Sequence, residues 1–229
     1  MDFMLGFRIE TRQGMSERVL DIRDLVVAGW TGRDREKMEH HMAELEALGI
    51  KRPPATPVFY RVAASRLTLM PAIQVTGEAS SGEAEALVVR DGAGLWVGLA
   101  SDHTDREVEA YGITVSKQMC DKPCAPVLWP MAELEDHWDE LVLRAFVEEK
   151  GARVLYQEGP VSGMLRPAEL IERYGAEGRF EPGTAMLCGT HAAIGGVRPS
   201  RSFEMELEDP VLGRRIRHRY EVEVLPIAG

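Results

Sequence analysis

Apolar and polar positions change their period along this chain, and the changes mark out its elements. Phe7-Arg8-Ile9-Glu10 alternates as a half-buried strand does, and Asp24–Trp30 is a short apolar run ending beside Gly29, as a buried strand would. Met38, His41, Met42, Leu45 and Leu48 then recur at three- and four-residue spacing, with Thr31 or Asp34 available as a cap and Gly49 as a stop. That pattern predicts an amphipathic surface helix. Lys51-Arg52-Pro53-Pro54-Ala55-Thr56-Pro57 is a proline-rich connector. Beyond it the pattern predicts short strands at 58–63, 72–76, 84–89, 94–100, 152–156, 184–189, 202–207 and 216–224, with a hairpin turn at Asp91-Gly92-Ala93-Gly94. Leu134, Trp138, Leu141, Leu143 and Phe146 predict a second amphipathic helix over 130–149. Pro167 at the start and Gly175 at the end bracket a third. No internal repeat or low-complexity segment interrupts this order. Many short strands with a few helices predict a β-rich α+β fold.

Composition changes the picture in three ways. A net charge of -10 argues against a nucleic-acid partner, whose phosphates would be repelled. No apolar run reaches the roughly 20 residues that span a bilayer, and the first residues lack a signal-peptide pattern, so a cytoplasmic location is expected. Three cysteines are no disulfide framework; Cys120 and Cys124 read as reduced, buried thiols rather than as a zinc site.

Four segments carry candidate chemistry. In Gly82-Glu83-Ala84-Glu85, a strand would put both carboxylates on one face, where they need either water or a cation between them. Ser101-Asp102-His103-Thr104-Asp105-Arg106-Glu107 follows an apolar strand and reads as the edge of a site or as a helix cap. Lys117, in Val115-Ser116-Lys117-Gln118, reads as an anion-holding point charge or as a surface lysine. Pro182-Gly183-Thr184 leads through an apolar strand to Cys188-Gly189-Thr190-His191, where small residues let backbone approach a ligand, or merely pack.

Taken in order, these pieces resemble the fumarylacetoacetate hydrolase family. The resemblance runs through Pro57-Val58-Phe59-Tyr60-Arg61, Glu83-Ala84-Glu85, the Asp102 to Glu107 segment, Lys117, Pro182-Gly183-Thr184 and Gly189-Thr190-His191, and covers about residues 55–225. It implies a mixed, rolled β-sheet with a few peripheral helices. Residues 1–54 would supply strands and a lid-like helix, and 55–229 the catalytic domain. It implies Glu83, Glu85 and Asp102 as ligands of Mg²⁺ or Mn²⁺. Lys117 would face the bound carboxylate, and Tyr60, Arg61, Thr190 and His191 would touch substrate. The His41–Glu44 pair on the predicted helix would activate water, although His41 also falls on that helix's apolar stripe and His40 beside it is an alternative. The implied activity is hydrolytic C–C cleavage of a keto-acid or diketo (acylpyruvate-like) substrate through a metal-stabilised enolate, in a homodimer with no nucleic-acid or membrane partner. Decarboxylation or tautomerisation at the same metal site is the alternative, and a non-catalytic small-molecule-binding protein the third. Three departures stand out. Only a hairpin separates Glu85 from Asp102 where relatives have a helix, Gln118-Met119 follows the lysine in place of Ser-Phe-Asp, and His191 replaces a proline.

Overall fold

The computed structural model describes residues 3–47, 52–53, 55–176 and 179–228. The chain opens with three strands, β1 (Met4–Thr11), β2 (Gly14–Asp21) and β3 (Asp24–Gly29), followed by helix α1 (Arg35–Ala47). Next come β4 (Val58–Val62), β5 (Leu67–Thr68), β6 (Ala72–Thr76), β7 (Ser80–Ser81), β8 (Ala84–Asp91), β9 (Gly94–Ser101) and β10 (Thr104–Asp105). Two short helices, α2 (Arg106–Glu109) and α3 (Ile113–Met119), lead to β11 (Lys122–Pro123) and β12 (Val127–Pro130). The remainder is β13 (Val142–Glu149), β14 (Ala152–Pro160), α4 (Pro167–Tyr174), β15 (Thr184–Leu187), β16 (Ser202–Asp209) and β17 (Arg214–Leu225).

Eight strands form one mixed sheet in the order β2-β1-β12-β9-β8-β15-β3-β4. Laid flat, its two edges would stand roughly 34 Å apart at the usual strand spacing of about 4.8 Å. Leu20 of β2 and Val62 of β4 nevertheless join one buried cluster with Leu25, Val27, Leu87, Val89 and Leu187, so the sheet is rolled around that cluster. A second sheet, β14-β13-β16-β17-β6, lies on the outer face. Ala84, Ala86 and Val88 of β8 pack there with Leu143, Ala145, Phe203, Met205 and Tyr220. Alternation along β8 thus sends its even positions to one core and its odd positions, Glu85 included, to the other.

The strands of residues 1–54 and those beyond share this rolled sheet: β1 pairs with β12 and β3 with β15, both in parallel. The helix expected over 130–149 is absent. Met131–Glu133 and Glu135–Glu140 form 3₁₀ turns, broken at His137 (φ −129°, ψ 23°), and β13 begins at Val142. Leu134, Trp138 and Leu141 are buried as a helical stripe would be, but Leu143, Ala145 and Val147 then alternate with outward residues. Two periods meet end to end and imitate one helix. Among the described residues no helix is long and apolar enough to cross a membrane.

Candidate metal centre

β8 and β9 form a hairpin in which Ala84 pairs with Ser101 and Glu85 with Ala100. The pairing continues one step past both strands, where the Asp102 N–H donates to the Glu83 carbonyl at 2.9 Å. This register sets Asp102 beside Glu83 and Glu85, and one oxygen from each of the three carboxylates lies within 4.8 Å of the others. Glu85 and Asp102 are 2% and 0% exposed, and the Glu83 side chain 20%. The surface-acid reading of these residues is thereby excluded. The helix-cap reading belongs to a neighbour: Asp105, not Asp102, accepts the Val108 N–H at the start of α2.

Burying like charges together is costly without a cation. Burial pushes the Glu85 carboxyl well above its ordinary range, and the charges of Asp102 and Glu83 push it further. Burial likewise raises Glu83, against Arg106 and Lys117. Asp102 differs: burial favours its neutral form, but Lys117 and Lys122 outweigh it and hold the carboxyl below its usual value. Lys117, on α3, is 6% exposed and forms an ion pair with Asp102. The attraction of Asp102 and Glu83 raises its ammonium despite burial. Lys122 is fully buried at 3.4 Å from the other Asp102 oxygen and donates to the carbonyls of His103, Lys117 and Cys120. Arg106 reaches Glu83 at 3.2 Å. Three carboxylate oxygens in a partly compensated, largely dry setting are the donor set that a hard divalent cation such as Mg²⁺ takes.

The second wall is the segment after β15. Gly189 turns the chain at φ 99° and donates its N–H to Glu85. Thr190 donates its hydroxyl to the Ala84 carbonyl at 2.7 Å, between the two glutamates. Gln157 of β14 holds this wall in place. It donates to Thr190 Oγ1 at 2.8 Å and to the His191 carbonyl, and accepts the Ala84 N–H at 3.0 Å. Nothing in the sequence singled out Gln157. Its burial beside the equally buried Tyr156 is visible only in the folded structure.

Tyr60 and Arg61 part company, as neighbours on a strand do. Tyr60 joins the inner face, its ring centroid 5.7 Å from Lys117 Nζ. Arg61 points the other way, bound to Asp24 and to the Tyr174 hydroxyl at 2.9 Å, and is not brought to the acids. The His191 ring is also turned aside. It occupies the space that a Cβ at Gly159 or Gly163 would need, with its Nε2 buried and unpartnered. His103, next to Asp102, is held at both ring nitrogens by Tyr220 and Ser80, at 2.9 Å each. Burial, with Lys122 and Arg106 nearby, pushes it down to about 3, so it is neutral. The side chains of His40, His41 and Glu44 lie outside the described residues. Cys120, Cys124 and Cys188 are buried free thiols.

The architecture is a fumarylacetoacetate-hydrolase-type β fold with a carboxylate triad at one end of its rolled sheet. The chain belongs to the family described as "Protein of unknown function (DUF2848)", whose model matches residues 28–220. No curated protein matches it. Among solved structures it is similar to 2-keto-3-deoxyarabinonate dehydratase in a hexagonal crystal form, with a TM-score of 0.67 and 15% identity, covering 92% of this chain and 77% of that one. The same dehydratase complexed with magnesium and 2,5-dioxopentanoate gives 0.64 and 16%, with 92% and 77% covered. Cg1458 gives 0.66 and 15%, over 97% of this chain and 100% of that chain. At these identities the likeness establishes the fold.

Proposed function

We propose that the chain is a divalent-metal-dependent enzyme acting on a small keto acid, with Glu83, Glu85 and Asp102 as the ligands of Mg²⁺ or Mn²⁺. The observation that carries this reading is the convergence of the three carboxylates, two of them fully buried, on one point. The magnesium and dioxo-acid bound by the dehydratase of the same fold support it. A bound divalent ion supplies a positive charge that draws electrons from a substrate carbonyl oxygen. The chain's own residues do the rest. Lys117, charged and adjacent to Asp102, receives the substrate carboxylate. Tyr60 covers it from the sheet side. Thr190 has spent its proton on Ala84 and one lone pair on Gln157, and so offers a remaining lone pair to a substrate hydroxyl or N–H.

Hydrolytic C–C cleavage of an acylpyruvate-like substrate is the first form of this reading, with His41 and Glu44 activating water. A decarboxylase or tautomerase is the second. It needs no water-activating dyad, and both nitrogens of His103, the imidazole next to Asp102, are held by Tyr220 and Ser80. His41→Ala separates the two: it should abolish hydrolysis and leave decarboxylation or tautomerisation largely intact. A homodimer, expected from the resemblance, belongs to the same reading and is checked by light scattering.

The deciding test is calorimetric titration of metal-stripped protein with Mn²⁺ and Mg²⁺, repeated on Glu85→Ala. One-site binding in the wild type that the substitution abolishes would establish the centre. Folded wild type that binds neither ion would end the metal-dependent reading.

A further inference from the structure

Lys122 is fully buried, and the proposed chemistry gives it no task. Its backbone is fixed from outside the acid cluster. β11 pairs in parallel with β5, Lys122 opposite Leu67 and Pro123 opposite Thr68, and the Cys124 N–H donates to the Thr68 carbonyl at 2.8 Å. From that root the Lys122 ammonium donates to the carbonyls of His103 at 2.6 Å, Cys120 at 2.9 Å and Lys117. Three carbonyl acceptors match the three protons of an ammonium.

Those carbonyls belong to two segments. Lys117 lies in the last turn of α3 and Cys120 is its C-cap, where a helix leaves carbonyls without an internal partner. His103 follows Asp102 at the end of the β8–β9 hairpin. One ammonium therefore ties together the two segments that carry the Asp102–Lys117 ion pair. Its nitrogen also stands 3.4 Å from the Asp102 oxygen that Lys117 does not take. Charge and position act in opposite directions there. A second cation beside Asp102 repels a divalent ion, whereas a tether on both segments holds the ligand and the lysine where the ion and the substrate head need them.

We propose that Lys122 is a positioning residue: by clamping the three carbonyls it aims Asp102 at the metal ion and Lys117 at the substrate carboxylate. Outer partners that orient metal ligands in this way are worth about 10–100-fold in metal affinity. The proposal rests on the metal-dependent reading above, because the clamp has nothing to aim without the ion.

The test is calorimetry with two probes, Mn²⁺ on the metal-stripped protein and oxalate on the protein saturated with Mn²⁺. Lys122→Met removes the charge and the donors, whereas Lys122→Gln removes the charge and keeps two donors, so one informs if the other fails to fold by circular dichroism. The expected result is that Lys122→Met binds Mn²⁺ at least about tenfold more weakly, although a competing cation has gone. Oxalate should weaken as well, and Lys122→Gln should fall between Lys122→Met and the wild type for both probes. A lysine that only stabilised the fold would lower the melting temperature and leave both affinities of a folded variant unchanged. Folded variants that bind either probe as tightly as the wild type, or more tightly, would overturn the positioning role and leave the metal centre standing. Wild type that binds no Mn²⁺ would overturn both.

Discussion

Gly189 donates its backbone N–H to Glu85 from a position that no other residue can occupy. Its φ is 99°, and a Cβ built there would stand 1.8 Å from Thr31 Oγ1. The small residue read in the sequence as room for a ligand is room for Thr31, and its N–H is committed to Glu85. Gly189→Ala should cost about 2–4 kcal/mol, combining left-handed strain with overpacking. A urea melt measures it, and Mn²⁺ affinity should fall with it as Glu85 loses its donor. A melt unchanged from the wild type would refute this account.

Lys117 and a metal ion would compete for Asp102. A unit charge about 4 Å away at an effective dielectric of about 20 is worth roughly 4 kcal/mol before desolvation. Lys117→Met should therefore bind Mn²⁺ at least about tenfold more tightly by calorimetry. Turnover should nonetheless fall about 10²-fold or more if Lys117 receives the substrate carboxylate, as proposed. Weaker metal binding would show instead that Lys117 orders Asp102 rather than opposing the ion.

Gln157 satisfies three groups at once, and its loss leaves the Ala84 N–H buried without a partner. Gln157→Leu should destabilise the fold by about 1–3 kcal/mol. Thr190 would keep its bond to the Ala84 carbonyl but lose its Gln157 partner, so on the proposed reading KM should rise more than kcat falls. Thermal melts and steady-state kinetics read the two effects separately.

Asp139 gives a pH prediction away from the acids. Hydrogen bonds from Arg33 and Arg166 hold its carboxyl down at about 2 against an ordinary 3.8. Its folded value is depressed, so its contribution is present above pH 3.8 and is lost as the pH falls through about 2. The side chain is 35% exposed, and solvent limits the contribution to under about 1 kcal/mol. Asp139→Asn should lower stability by that amount at pH 6 and by only a small fraction of it near pH 2. Urea midpoints at the two pH values, in high and low salt, check it.

Much of the strand pattern was legible because alternation is a local property. Asp91–Gly94 is a hairpin turn, β4, β6 and β8 start where the pattern predicts, and α4 runs from Pro167 to Tyr174. The segment 130–149 was not legible, since a 3₁₀ stripe followed by an alternating strand buries Leu134, Trp138, Leu141 and Leu143 as a helix would, and only Phe146 of the expected stripe faces outward. Strand β15 ends at Leu187, before the expected 189, because Gly189 turns the chain.

By itself the sequence determined which acids could gather: Glu83 and Glu85 stand two apart, and Asp102 ends the partner strand of their hairpin. Only the tertiary structure decided that they are buried rather than solvated, since burial depends on a sheet that rolls until β2 and β4 share a core. It also decided that Tyr60 faces the acids while Arg61 does not, and that Gln157, 73 residues from Ala84, holds the opposite wall. Such contacts join segments distant along the chain, and no local period encodes them.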